Sequence, residues 1–259
     1  MRMQPATASS AQLGRPLGTG RVWRRRLLLH HVPIALASAV ALVVFMGLSP
    51  FANGGHVGIS LRFEASSLEP GSHAFMSRFT VASGYVGLGL LGLTLLIGPA
   101  NLLLGRRNPA SSYLRRDLGT WTAIFSVVHV IVGFQVRSDG GLFSFLDYFV
   151  ADGRPLTDSF GLGNWTGLAA LVIVVGLLAI SSDVALGKLK AKTWKRLQRL
   201  NYALFVLVIV HSFFYGAFLR ITSPFTLLLI FSIMAVFVGQ AVGVWLWRRR
   251  YAGISASVP

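Results

Sequence analysis

Residues 194–216 read WKRLQRLNYALFVLVIVHSFFYG. Lys195, Arg196 and Arg199 open the stretch, an almost wholly apolar run follows, and a single imidazole, His211, interrupts it. A second stretch has the same plan. Residues 113–130, YLRRDLGTWTAIFSVVHV, begin with Arg115 and Arg116 and reach His129 through apolar residues. Arg116 to His129 and Gln198 to His211 are equal separations, thirteen residues each, or about 20 Å along a helix.

The rest of the chain places these runs in a membrane. Of 259 residues, 54% are hydrophobic and 12% charged, about half the charge of a soluble domain. The apolar residues form runs near the ~20 residues that cross a bilayer as helix, without the short alternating segments of a membrane barrel. Six such spans are expected, at roughly 32–52, 80–104, 118–136, 164–182, 200–219 and 223–247. The expected fold is therefore an all-α, six-helix integral membrane bundle.

Charge sorts the connections. Nineteen of the 24 basic residues precede span one, join spans two and three or four and five, or follow span six. The alternate connections hold six of the eight acids: Glu64, Glu69, Asp139, Asp147, Asp152 and Asp158. The excess of Lys and Arg on one side places both termini in the cytoplasm of a cell inner (plasma) membrane protein. The net charge of +16 is thus read as membrane topology, and nucleic acid is not an expected partner. Three regions follow: a basic N-terminal segment, 1–31, partly disordered at its Ser/Gly/Pro-rich start; the membrane domain, 32–247; and a tail, 248–259. Span one is expected to be kept rather than cleaved as a signal peptide, being longer than a signal h-region. Internal repeats are not evident.

There are no cysteines, which excludes iron–sulfur clusters and thiolate zinc sites. Of six histidines, His30 and His31 are expected to be solvated at the inner interface, and His56 and His73 to lie in the first outer loop. Only His129 and His211 fall inside spans. Both spans run outward, so both imidazoles lie at one level in the outer half of the membrane. Ionisable groups at that depth are costly and mark function. Packing histidines bonded to a backbone carbonyl, Ser126, Ser212 or Tyr215 are the alternative. Two neutral imidazoles on two helices suit the iron of a b-type haem, held from both faces. Gly133 and Gly216, about one turn beyond each histidine, would let a flat macrocycle approach or let helices pack. Gly84, Gly87, Gly89 and Gly92 read as packing glycines. Pro99 marks a kink in span two, and Asn164 in NWTG marks a helix start.

Two motifs, Arg-Arg-x-Leu-Gly before His129 and Trp-Lys-Arg-Leu-x-Arg-Leu-x-Tyr before His211, resemble the ferric reductase-like transmembrane family over about residues 80–220. Its members include six-transmembrane metalloreductases, NADPH oxidase membrane domains and haem-binding membrane subunits of periplasmic reductase systems. The resemblance implies a transmembrane b-type cytochrome that carries electrons outward. Members often hold a second, inner haem, but here the corresponding positions are Arg116 and Gln198. One haem is therefore implied, with His129 and His211 as its iron ligands. A flavin (FMN or FAD) or a quinone would bridge the inner gap, where Arg115, Arg116, Lys195, Arg196 and Gln198 would meet a flavin phosphate or a haem propionate. The same charges also serve to set topology and bind lipid headgroups. No Gly-rich dinucleotide fingerprint occurs, so a separate redox partner protein or a larger membrane complex is expected to supply or take the electrons. No residue needs to act as a catalytic acid, base or nucleophile, and the chain reads as an electron-transfer component. Two other readings stay open: an accessory or anchor subunit of a larger respiratory or photosynthetic complex, and a histidine proton relay.

Overall fold

The computed structural model describes residues 24–47, 69, 71–105, 113–136, 141–182, 185, 188–189, 191–217 and 224–255. The expectations for residues 1–23, for His56 and for the tail 256–259 lie outside them. The helices are α1 (Arg24–Gly47), α2 (His73–Leu103), α3 (Tyr113–Gly133), α4 (Ser159–Ala179), a short α5 (Ala191–Gln198), α6 (Leu200–Phe214) and α7 (Pro224–Ser255). Between α3 and α4 lie a 3-10 segment, Gly141–Tyr148, and two paired two-residue strands, β1 (Val150–Ala151) and β2 (Arg154–Pro155). The chain is a helical membrane protein. Five of its helical segments are long and apolar enough to cross a bilayer: α1, α2, α4, α5–α6 and α7. The helix α3 is not among them. Its first turns carry Arg115, Arg116 and Asp117, and its body carries Thr120, Thr122, Ser126 and His129.

The central helix is α2. It packs on α1, α3, α6 and α7, while α4 packs on α3 and α6. Just over half of its apolar window is buried, against under a quarter for any other spanning helix. The bundle core joins Leu91 and Leu95 of α2 to Ala123, Val174, Leu204 and Leu229. Exposed apolar side chains cover the other faces, such as Leu36, Val40 and Val43 on α1 and Phe231, Met234 and Phe237 on α7, as lipid contact requires. Inside, hydroxyls satisfy themselves on their own helices: Thr94 donates to Leu90, Thr122 to Leu118, Ser126 to Thr122 and Ser212 to Val208. That is the usual solution where no water is available.

Pro99 lies within a continuous α2. Lacking an N–H, it leaves the Leu95 carbonyl, four residues earlier, without its helical donor. Gln240 of α7 fills that vacancy, its amide donating to Leu95 O at 2.7 Å, and Tyr202 of α6 donates to the same Gln240 side chain at 3.1 Å. Gly243 lets α7 lie against the proline ring, where a Cβ would meet Pro99 Cγ at 3.1 Å.

Several boundaries differ from expectation, each for a local reason. Helix α2 begins at His73, because Ser72 caps it by accepting from Phe75 N; His73 is helical, not in a loop. Helix α4 begins after Asp158, whose carboxylate accepts from Gly161 N at 2.8 Å. Asn164 therefore lies inside the helix rather than at its start. Helix α6 stops at Phe214, and Gly216 takes φ +74°, the left-handed turn that ends helices and that glycine adopts without cost.

The largest correction concerns His30 and His31. A π turn, Leu27–His31, aims Arg26, His30 and His31 at Asp117 of α3. The carboxylate is completely buried; it pairs with the Arg26 guanidinium and lies 2.7 Å from His30 Nδ1 and 3.4 Å from His31 Nε2. These histidines are not simply solvated but pin α1 to the bundle. Removing one partner of a buried pair leaves an uncompensated charge. Asp117→Ala is therefore expected to destabilise the protein by about 3 kcal/mol, read as a lower unfolding midpoint in detergent, while Asp147→Ala, on an exposed residue, changes it little.

Candidate functional site

His129 and His211 meet. Their ring centres are 6.0 Å apart and their planes nearly perpendicular, at 82°. The histidine helices do not bring this about by packing on each other: α3 lies on α2, and α6 lies on α4.

Each imidazole is held by the same device. His129 Nδ1–H donates to Thr80 O on α2, and His211 Nδ1–H donates to Gly163 O on α4, both at 2.8 Å. Four residues after each carbonyl stands a glycine. A Cβ on Gly84 would come within 3.1 Å of the His129 ring, and one on Gly167 within 2.8 Å of His211 Nδ1. In a helix, residue i+4 overlies carbonyl i, so only glycine there leaves room for an outside ring to reach that oxygen. The spacings from carbonyl to histidine, 49 and 48 residues, are nearly equal.

The sequence placed the glycine function elsewhere. A Cβ on Gly133 would meet Thr80 Cγ2 at 3.4 Å, a helix contact, and Gly216 ends a helix. Gly84 leaves the space that the His129 ring uses, and Gly167, which does the same for His211, carries a role that sequence reasoning missed. The signal was present as a Thr80/Gly84 pair and a Gly163/Gly167 pair, each at i, i+4. Of the partners expected for packing histidines, each imidazole does bond a backbone carbonyl, whereas Ser126 and Ser212 bond back to their own helices.

The hydrogen bonds fix the chemistry. With Nδ1 protonated and donating, each neutral ring presents the lone pair of Nε2. No hydrogen bond among the described residues uses either Nε2. Imidazole nitrogen binds a transition metal at about 2 Å, and its ring centre lies a little over 1 Å further on. Two such rings on opposite sides of one metal are thus about 6 Å apart, close to the separation present. Among the described residues no group of three or more His, Asp and Glu could hold a metal, so the donor set suits an ion that brings its own equatorial ligands.

A cavity of about 350 Å³ opens at the other, basic end of the bundle. Of the residues expected there, Arg115, Arg116, Lys195 and Gln198 line it; Arg196 does not, and Arg199 does. Trp194 and Tyr202 add aromatic surface, and no acid is among the lining residues. Its apolar floor reaches Thr122 on α3 and Leu204 on α6. Each is seven residues short of the histidine on its own helix, or about 10 Å.

Comparison with known proteins gives a consistent family. The family model described as ferric reductase like transmembrane component matches residues 83–209. A curated relative from Bordetella pertussis, named protein-methionine-sulfoxide reductase heme-binding subunit MsrQ, is 31% identical over 219 residues, covering 84% of this chain and 95% of the relative. One of the same name from Ralstonia nicotianae is 29% identical over 224 residues, covering 86% and 93%. No solved structure matches the chain.

Proposed function

Because the chain belongs to the family of protein-methionine-sulfoxide reductase heme-binding subunits, MsrQ, within the ferric reductase-like proteins, we propose that it is the electron-transfer membrane subunit of such a reductase system. One b-type haem is held between His129 and His211. The observation that carries this is the pair of imidazoles 6.0 Å apart, each with Nδ1 committed to a carbonyl and Nε2 left for iron. A b haem supplies a one-electron carrier that needs no proton from the protein. The chain's contribution is to keep both rings neutral and oriented, to exclude water, and to hold the site in a low-dielectric setting.

In this reading all six long helices cross an inner membrane, with both termini and the basic end cytoplasmic. Although α3 is less apolar than the rest, its charges lie in its first turns, and its hydroxyls are bonded within the helix. Electrons enter at the basic cavity and leave at the outer end to a separate protein. The cavity's four cations, with no acid, suit a phosphorylated flavin better than a neutral quinone. Arg115, Arg116 and Lys195 would meet the phosphate, Gln198 a polar ring edge, and Trp194 or Tyr202 the ring face. Arg196 is not among the lining residues and is given no part in this reading.

A charge-assisted hydrogen bond contributes about 1.5–3 kcal/mol. Arg116→Gln is therefore expected to weaken FMN binding about tenfold or more in a fluorescence-quenching titration, while binding of a short-chain quinone is unchanged. Equal weakening of both would remove the case for a phosphate. For the function as a whole, the chain is placed in sealed vesicles with reduced FMN on the basic side. Haem reduction from that side, followed by oxidation by an impermeant acceptor outside, is the expected course. Haem that reduces equally from either side would defeat the proposed path.

A further inference from the structure

We propose that Tyr148, Asn164 and Tyr215 form a clasp that sets how the two imidazoles face each other. It rests on the reading of His129 and His211 as a haem pair. Tyr215 is four residues beyond His211 and caps the C-terminal end of its helix, and Gly133 is four residues beyond His129. A chain of hydrogen bonds joins these two points. The Tyr215 hydroxyl donates to Asn164 Oδ1 at 2.6 Å, and Asn164 Nδ2 donates to Tyr148 O at 2.9 Å. The Tyr148 hydroxyl then reaches the carbonyls of Gly133 and Phe134, at 3.1 Å each. The outer ends of the two histidine helices are thereby tied through one asparagine.

The choice of asparagine follows from the partners. The Tyr148 carbonyl can only accept, so the amide nitrogen must face it, and the amide oxygen is left for the tyrosine hydroxyl. Among side chains of this size, only a carboxamide donates and accepts on opposite sides at once; aspartate can only accept. Consecutive residues bear on two neighbouring side chains at the end of α6, that of His211 and that of its C-cap, Tyr215. Gly163 O holds His211, and Asn164 holds Tyr215. The Tyr215 ring lies 4.9 Å from the His211 ring, centre to centre. It can lie there because Gly163 has no Cβ, which would stand 2.7 Å from the ring. A shift of the clasp therefore moves the carbonyl and the aromatic wall that orient His211 together. These three are positioning residues, since none carries an imidazole nitrogen for iron.

The test is electron paramagnetic resonance of the oxidised, haem-loaded full chain, because the largest g value of a bis-imidazole haem reports the angle between the two ligand planes. Haem per chain and the unfolding midpoint are measured alongside. Asn164→Ala and Tyr215→Phe are expected to move that g value in the same direction while haem per chain stays near wild type. The double variant should move it no further than Asn164→Ala alone. Asn164→Asp, which keeps the acceptor for Tyr215, should fall between Asn164→Ala and wild type. If Asn164→Ala does not fold, Tyr215→Phe and Tyr148→Phe carry the test, each deleting one oxygen. An unchanged g value with only a lower unfolding midpoint would overturn the clasp and leave the haem pair standing. No low-spin signal from wild type would overturn the haem pair, and the clasp with it.

Discussion

Alanine in place of either His129 or His211 is expected to leave the purified protein without haem. In the proposed reading each imidazole supplies one of two protein bonds to iron, and the neighbouring groups are poor replacements: Ser126 and Ser212 are committed to their own helices, and Thr80 and Gly163 offer carbonyls, which are hard oxygens. Loss of a partner in the outer shell of a metal site costs 10–100-fold in affinity, so loss of a ligand is expected to exceed about a hundredfold. The measurement is haem extracted per chain, with His73→Ala as the control; His73 is an exposed first residue of α2. Haem retained in both site variants would mean that other residues hold it. The effect should also be local. The cavity lies about 10 Å away along each helix, so FMN affinity in His129→Ala should match wild type.

Gly167→Ala should come close to the same result without touching a ligand. A Cβ there would stand 2.8 Å from His211 Nδ1 and 3.0 Å from Cε1, so the ring must move. It cannot move and keep its 2.8 Å bond to Gly163 O, because that carbonyl is reached through the space the methyl would fill. Haem affinity is expected to fall about 10–100-fold, as for other outer-shell losses. The shift should be specific to that glycine. A methyl on Gly176, in the same helix, would meet nothing within 4 Å, and Gly176→Ala should bind normally. Gly84→Ala, with contacts of 3.1 Å to His129, should lie between them. Equal affinities for all three would show that the close approach has no bearing on the site.

Much of the architecture was legible because apolar run length and charge alternation are read directly from single residues. The depth match of His129 and His211 was legible too: thirteen residues from a basic anchor is a helical distance, and helical distance is linear in sequence. What was not legible depended on contacts between runs. Asp117, between Arg116 and Leu118, looks like one more charge at the start of a span, and only the packing of α1 shows it to be the buried partner of Arg26, His30 and His31. Gly167 looks like one glycine among 28 until His211 arrives from 44 positions away. Gln240 has no reason to be polar until Pro99 frees a carbonyl on another helix. Arg196 and Arg199 could not be told apart by spacing, because the short α5 and the turn at Arg199 decide which one faces the cavity.

Whether one haem is held by the two histidines is decided by counting haem. The purified wild-type protein is studied by a reduced-minus-oxidised spectrum, and its haem is extracted and quantified against protein. One low-spin b haem per chain is the expected result. A well-folded protein with none would contradict the claim. So would two per chain, since a second haem would need ligands that Arg116 and Gln198 do not supply.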